Sequence, residues 1–299
     1  MRLFLVLGEE LHFGRASARL FITQPALSQQ IRDMERRLGV RLFERTSRDV
    51  MLTSAGRALL AEARAAVDAV DRMRRVADSQ ARQLSEQLVV GSIGAEAAMP
   101  HTRAVLRTLQ DRHPRMALRV VSLNFIDHIA ALVRQEVDVV FLRPPVPAGI
   151  ELLHLAEEPR VACLPADDHL AALPALTLAQ LAGRPVIAMP EQVPRVWWDF
   201  WAVDPRPDGS PVRYGPVVTD MESLLHVVAD GEAMCFLPAA ARDLFPRPGI
   251  RYVDVTDLSP SSSALAWLAE RRADPTIAAI RQAARDTVRT TGRCRHRAP

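Results

Sequence analysis

The chain has 299 residues, room for two or three domains, and its 48% apolar and 24% charged residues give the balance of an ordinary globular protein. The net charge of +3 hides an uneven spread: +4 over residues 1–86, −5 over 87–286 and +4 over 287–299, with arginine as the only basic side chain counted. No apolar run reaches the length of a membrane helix. The short run before Glu9-Glu10 lacks a cleavage site, and Cys163, Cys235 and Cys294 form neither a disulfide framework nor a zinc spacing. A cytoplasmic protein without metal or cofactor is expected.

In chain order, Phe4, Leu5, Leu7 and Leu11 predict a short amphipathic helix, and Leu11–Leu20 a second. Phe21-Ile22-Thr23 breaks the pattern. Thr23 is a good N-cap, and Pro25 falls in the first turn of a third helix, where its missing N–H costs nothing. Leu27, Ile31, Met34 and Leu38 repeat as one buried stripe, and Gly39 is placed to end it. Two short helices joined by a tight turn present the N-terminal end of the second to a DNA major groove. That end holds Thr23, Gln24, Pro25, Ala26, Ser28, Gln29 and Arg32. Glutamine bonds adenine edges, arginine reads guanine, and small residues allow close approach. Residues 41–53 alternate around a polar turn and predict a hairpin wing, with Arg45 and Arg48 suited to phosphate or minor-groove contact. Against this stands a plain helical bundle whose arginines only keep it in solution.

The words themselves are specific. Glu9-Glu10-Leu11-His12-Phe13-Gly14-Arg15-Ala16, Gln24-Pro25-Ala26-Leu27-Ser28-Gln29-Gln30-Ile31, Leu38-Gly39-Val40-Arg41-Leu42-Phe43-Glu44-Arg45 and Leu52-Thr53-Ser54-Ala55-Gly56 resemble the winged helix of LysR-type transcriptional regulators in order and spacing. The resemblance implies a DNA-binding domain over residues 1–57. Family members usually carry several residues before the position of Met1, so either the first helix is short or the true start lies upstream.

Residues 58–86 predict one long helix with a narrow apolar seam of Leu60, Ala63, Val67, Val70 and Met73. About 29 residues at 1.5 Å each span roughly 43 Å. So polar a helix is better explained by pairing with a second chain than by lying on its own core, though the latter is the plain alternative. The resemblance implies the same: a homodimer or homotetramer on double-stranded DNA, reading an interrupted palindrome.

From residue 87 strands alternate with helices, which predicts a largely parallel sheet covered by helices. The fold class is α/β: a winged helix-turn-helix, a linker helix and an effector-binding domain over 87–290. Lobe I is expected at 87–163 and 256–290, lobe II at 164–255, and a disordered basic tail at 291–299. Arg143-Pro144-Pro145, Leu164–Leu170 and Ala229–Pro238 loosely resemble family stretches, which implies a fold like periplasmic binding proteins with a small-molecule effector between the lobes. Ligands in such sheets lie beyond the carboxyl ends of strands, which selects Gly94, Ala95, Asn124, Phe125, Glu191, Arg195 and Trp197. Relatives sensing aromatic acids commonly carry a hydroxyl where Ala95 and Asn124 stand, and often arginine at Glu191. A rim of Glu96 and Glu191 then suits a neutral or cationic ligand, with Arg195 as the remaining anion partner. Trp198 is expected to pack, and Cys163 and Cys235 to be inert buried thiols.

Three functions compete. A ligand-responsive transcriptional regulator is preferred, a constitutive architectural DNA binder is the alternative, and an enzyme is not expected because the common catalytic motifs are absent.

Overall fold

The computed structural model describes residues 1–45, 50–84 and 86–295. The chain divides into two compact units, Met1–Asp78 and Ser79–Pro299.

In the first unit, α1 (Arg2–Glu10) buries Phe4, Leu5 and Leu7. Leu11, expected on the same face, is instead its left-handed C-cap (φ 45°) and is 42% exposed, because the cap conformation turns the side chain off the helix face. In α2 (Phe13–Arg19) the His12 ring accepts the Arg15 amide at 3.1 Å as the N-cap. Helix α3 (Gln24–Leu38) opens with Thr23 accepting the Ala26 amide and closes at Gly39, whose φ of 72° suits glycine. Leu27 and Ile31 face inward as expected, while Leu38 is 51% exposed. Strands β1 (Phe43–Arg45) and β2 (Val50–Leu52) pair antiparallel as the stem of the wing. The tip, including Arg48, and the side chain of Arg45 lie outside the described residues.

Helix α4 (Ser54–Leu84) is one 31-residue helix, and its seam has two parts. Leu60, Ala63 and Val67 pack with Phe4, Leu27, Ile31 and Phe43 in the core of their own unit. This corrects the expectation that the whole seam faces a partner chain. A seam leaving a small domain must first complete that domain's core. Beyond it Val70, Met73 and Val76 are 46%, 67% and 54% exposed.

The second unit has two lobes. β3 (Gln87–Ile93), α5 (Pro100–Arg112), β4 (Ala117–Leu123), α6 (His128–Val133), β5 (Val139–Leu142) and β6 (Ile150–Glu158) belong to the first. β7 (Arg160–Pro165), β8 (Ala175–Leu176), β9 (Val186–Ala188), α7 (Arg195–Ala202), β10 (Tyr214–Val217), α8 (Met221–Ala229), β11 (Cys235–Pro238), α9 (Ala241–Leu244) and β12 (Ile250–Val255) build the second. β13 (Ser261–Leu268) and α10 (Pro275–Arg295) return to the first. Its sheet runs β4-β3-β5-β13-β6, parallel through β4, β3 and β5 and antiparallel at β13 and β6, so it is mixed rather than largely parallel. The other lobe holds β11-β7-β12-β8, and a bridge from Val186 to Met234 joins it to the parallel pair β9-β10. Because β7 pairs with β11 and β12, the chain crosses to the second lobe at Pro159, not at residue 164. The α10 backbone continues through residues 291–295, so the helix extends into the segment expected as a disordered tail, and residues 296–299 lie outside the described residues.

Candidate functional site

The first candidate surface is the outer face of α3. With Leu27 and Ile31 buried, the helical period leaves Gln24, Pro25, Ala26, Gln29 and Arg32 exposed and Ser28 half-buried. The polar groups are already ordered: Arg32 donates to Gln29 Oε1 at 2.7 Å, and Gln29 Nε2 donates to Asp33 Oδ1 at 3.0 Å. These bonds restrict the rotamers of two exposed side chains. Glu35, which the sequence reading passed over, accepts the Leu42 and Phe43 amides at 2.8 and 3.2 Å and so fixes the wing stem to α3. A half-buried carboxylate on a helix, eight residues before a strand, is the signal that was available.

The second is a cavity of about 470 Å³ between the lobes of the second unit. Its walls come from the ends of β3, β4 and β5 on one side and from β9, α7, α8, β11 and α9 on the other. Gly94, Ala95, Asn124, Phe125 and Trp197 line it, as the rule about strand ends predicts. Gly94 sits at φ 52°, where an L side chain is strained, at the turn leaving β3. Glu191 and Arg195 do not line it. Both are exposed, and Arg195 is paired with Asp199 at 2.6 Å and Asp204 at 3.7 Å. On α7 the indoles of Trp197, Trp198 and Trp201 turn to the cavity, so a residue two positions before Trp197 faces away. Trp198, expected only to pack, also forms wall. The sequence reading left Met189, Leu224, Phe236 and Phe245 unassigned, because nothing in a single sequence says which buried apolar residues border a void.

Glu96 is not a rim charge. It is 4% exposed and belongs to a buried network around Arg143. Arg143 Nε donates to Glu96, one terminal nitrogen to Glu158 and the other to Ser261 Oγ at 3.2 Å. Ser263 donates to Glu96 Oε2 at 2.6 Å, and the His101 ring is 3.6 Å from the same oxygen. Burial alone would raise the Glu96 pKa, but the nearby His101 ring, itself 2.8 Å from Ser263 Oγ, the Arg143 charge and the Ser263 hydroxyl outweigh it and hold the carboxyl below its ordinary value. The network also ties the lobes: Glu158 Oε2 accepts the Ala240 amide at 2.8 Å, and Trp197 Nε1 donates to the Arg143 carbonyl at 2.9 Å. Arg160, just past the first crossing, donates to Ser259 on the second crossing and to the Phe200 carbonyl. Burial lowers its pKa to about 10.

His128, against Trp197 at 5.6 Å between ring centres, is fully buried, and burial pushes its pKa down to about 4, so it is neutral at physiological pH. Cys163 and Cys235 occupy facing positions on β7 and β11, and burial pushes the Cys235 thiol up, which keeps it protonated.

A family described as the bacterial regulatory helix-turn-helix protein of the lysR family matches residues 1–57, and the LysR substrate binding domain matches residues 81–289. The chain is 35% identical over 284 residues to the HTH-type transcriptional regulator IlvR of Caulobacter vibrioides, covering 92% of this chain and 93% of that protein. It is 28% identical over 247 residues to the HTH-type transcriptional regulator AlsR of Bacillus subtilis, covering 82% and 81%. Among solved structures, the LysR family transcriptional regulator CbnR has a similar fold, with a TM-score of 0.57 at 22% identity over 96% of this chain and 97% of that one.

Proposed function

Since the chain belongs to the LysR family of transcriptional regulators, we propose that α3 reads operator bases through Gln29 and Arg32 and that occupancy of the cavity between the lobes sets the regulatory state. The observation that carries this reading is the pairing, in one chain, of an exposed and pre-ordered polar face on a recognition helix with a cavity walled by both lobes. Effector binding changes the regulator only if the two states of the lobes differ in affinity for it. The Arg143 network, which touches the cavity and joins both lobes, is the element placed to sense that difference.

Footprinting on the chain's own promoter region tests the DNA side. Gln29→Ala or Arg32→Ala is expected to weaken binding to the preferred site by about 1–3 kcal/mol and to relax base preference there. An equal loss on scrambled DNA would remove that residue from the base readers and leave it a phosphate contact.

The assembly we propose is a dimer through the outer half of α4, with a tetramer formed by pairing of dimers. Two recognition helices per dimer favour an interrupted palindrome. Exposed Val70, Met73 and Val76 support the first contact, and Val120 on β4 and Val217 on β10, 44% and 62% exposed, offer apolar surface for another. Val70→Glu with Met73→Glu should halve the mass seen by light scattering while leaving the helicity of the chain intact. Val67→Glu is the wrong probe, because Val67 supports the core of its own unit. A double variant of unchanged mass rules out this seam.

A further inference from the structure

Resting on the reading of Gln29 as a base reader, we infer that Asp33 is a specificity-determining residue of α3: its carboxylate fixes which way round the Gln29 amide meets the major groove, matching it to adenine, and keeps Arg36 off the phosphates. Gln29, Arg32, Asp33 and Arg36 stand at i, i+3, i+4 and i+7, one stripe on the side of the helix away from Leu27 and Ile31. They are joined end to end. Arg32 donates to Gln29 Oε1 at 2.7 Å, Gln29 Nε2 donates to Asp33 Oδ1 at 3.0 Å, and Arg36 donates to the same Asp33 oxygen. The stripe is open to a partner: Gln29 and Arg32 are exposed, and the side chains of Arg36 and Asp33 are 75% and 33% exposed.

A carboxylate on a face that meets DNA costs affinity, because it repels phosphates and neutralises a cation that would otherwise release counterions. An exposed ion pair such as Asp33 with Arg36 adds little to stability in return. Helix α3 has two acids. Glu35 turns to the wing stem, where it accepts the Leu42 and Phe43 amides. Asp33 stays on the stripe, and what it holds there is the amide nitrogen of Gln29. A glutamine amide has two N–H donors and two acceptor positions, and left to rotate it can lead with either end. With Asp33 on the nitrogen and Arg32 on the oxygen the two ends are told apart, and among the described residues each end keeps one position unused. An unused donor beside an unused acceptor is what adenine matches through N7 and N6–H, whereas guanine offers two acceptors there. Reversed, the amide would set its oxygen against N7 and its nitrogen against N6–H, and both bonds would be lost.

The test is selection by the full chain from a randomised duplex pool, which needs no known operator, with affinities then measured on the selected duplex and on a scrambled one. The position that Gln29→Ala relaxes marks the base that Gln29 reads, and the parent should enrich adenine there. Asp33→Ala should lower that preference by about fivefold or more, within the range of a bidentate base contact, and leave the other positions unchanged. On the scrambled duplex the same variant should bind about threefold more tightly, with a salt slope steeper by about one, because Arg36 is freed to meet a phosphate. Asp33→Asn keeps an acceptor for Gln29 Nε2 without the charge, so it should retain the adenine preference and still bind scrambled DNA more tightly. An intact preference in Asp33→Ala, an equal loss of affinity on both duplexes, or a loss of preference as great in Asp33→Asn as in Asp33→Ala each overturns the role of Asp33. Enrichment of another base at the marked position overturns the match to adenine. If Gln29→Ala relaxes no position, the reading of Gln29 itself falls, and the inference with it. If Gln29→Ala relaxes one and Asp33→Ala does not, Gln29 remains a base reader and only the inference falls.

Discussion

Arg143→Ala is expected to destabilise the second unit by about 3–5 kcal/mol, the range for removing one partner of a buried ion pair. Truncation leaves Glu96, 4% exposed, without its cation and deprives Glu158, whose other oxygen accepts the Ala240 amide of the second lobe, of its guanidinium donor. The readout is clean because Trp197, Trp198, Trp201 and Trp267 all lie within residues 79–299, so tryptophan emission in urea follows this unit alone. A loss of this size moves the midpoint by more than about 1 M. The double variant Arg143→Met with Glu96→Gln should lose much less than the two single changes added together, since it strands no charge. The sign of the pH dependence follows from Glu96. Its folded pKa lies below the ordinary 4.5, so its contribution is present above that pH and is lost as pH falls through the folded value. The gap between parent and Arg143→Ala is therefore widest near neutrality and narrows in acid. A midpoint shift equivalent to less than about 1 kcal/mol at neutral pH would show that the network carries little of the stability.

Gly56→Ala is expected to cost the first unit about 3 kcal/mol, the upper end for overpacking a closed site. A β-carbon at position 56 would meet the Leu42 carbonyl oxygen at 2.1 Å and a methyl of Leu52 at 3.0 Å. The nearer atom is backbone and cannot rotate away. The same carbonyl accepts the Thr53 amide at 3.0 Å, and Thr53 Oγ caps the Gly56 amide at 2.9 Å, so the start of α4 and the entry to the wing are locked together. The first unit holds neither tryptophan nor tyrosine. Its loss should appear as a far-ultraviolet circular dichroism transition at lower temperature with no change in the tryptophan melt, together with lost DNA binding. A wild-type melt in both signals would mean that α4 shifts to admit the methyl group.

Much of the fold was legible because it is written in local patterns. The cap at Thr23, the stripe through Leu27 and Ile31 and the terminator Gly39 each depend on a few neighbouring residues. What was missed is non-local. β6 carries half-exposed residues throughout and has no clear alternation, and β7 looks like any buried apolar run. Only pairing with β13 in one case and with β11 and β12 in the other decides which lobe each joins. The site divides in the same way. Gly94, Ala95, Asn124, Phe125 and Trp197 were found because strand ends predict a cleft. Glu191 and Arg195 were misplaced because a strand end marks a cleft but not which neighbouring side chains enter it: Glu191 lies in the loop before α7, and Arg195 turns to Asp199 and Asp204.

By itself, the sequence determined that this chain is a LysR-type regulator with a basic winged helix, a long linker helix and a two-lobed α/β body, since order, spacing and local periodicity hold that information. Tertiary structure alone decided three things. The α4 seam is shared between the unit's own core and an open face, because one stripe passes two environments. Glu96 is a buried ion-pair partner and not a rim charge, because Arg143, Ser263 and His101 reach it from distant positions in the chain. Arg143 at the cavity wall is taken up by Glu96, Glu158 and Ser261, because whether a charged side chain is available depends on which partners the fold brings within hydrogen-bonding distance.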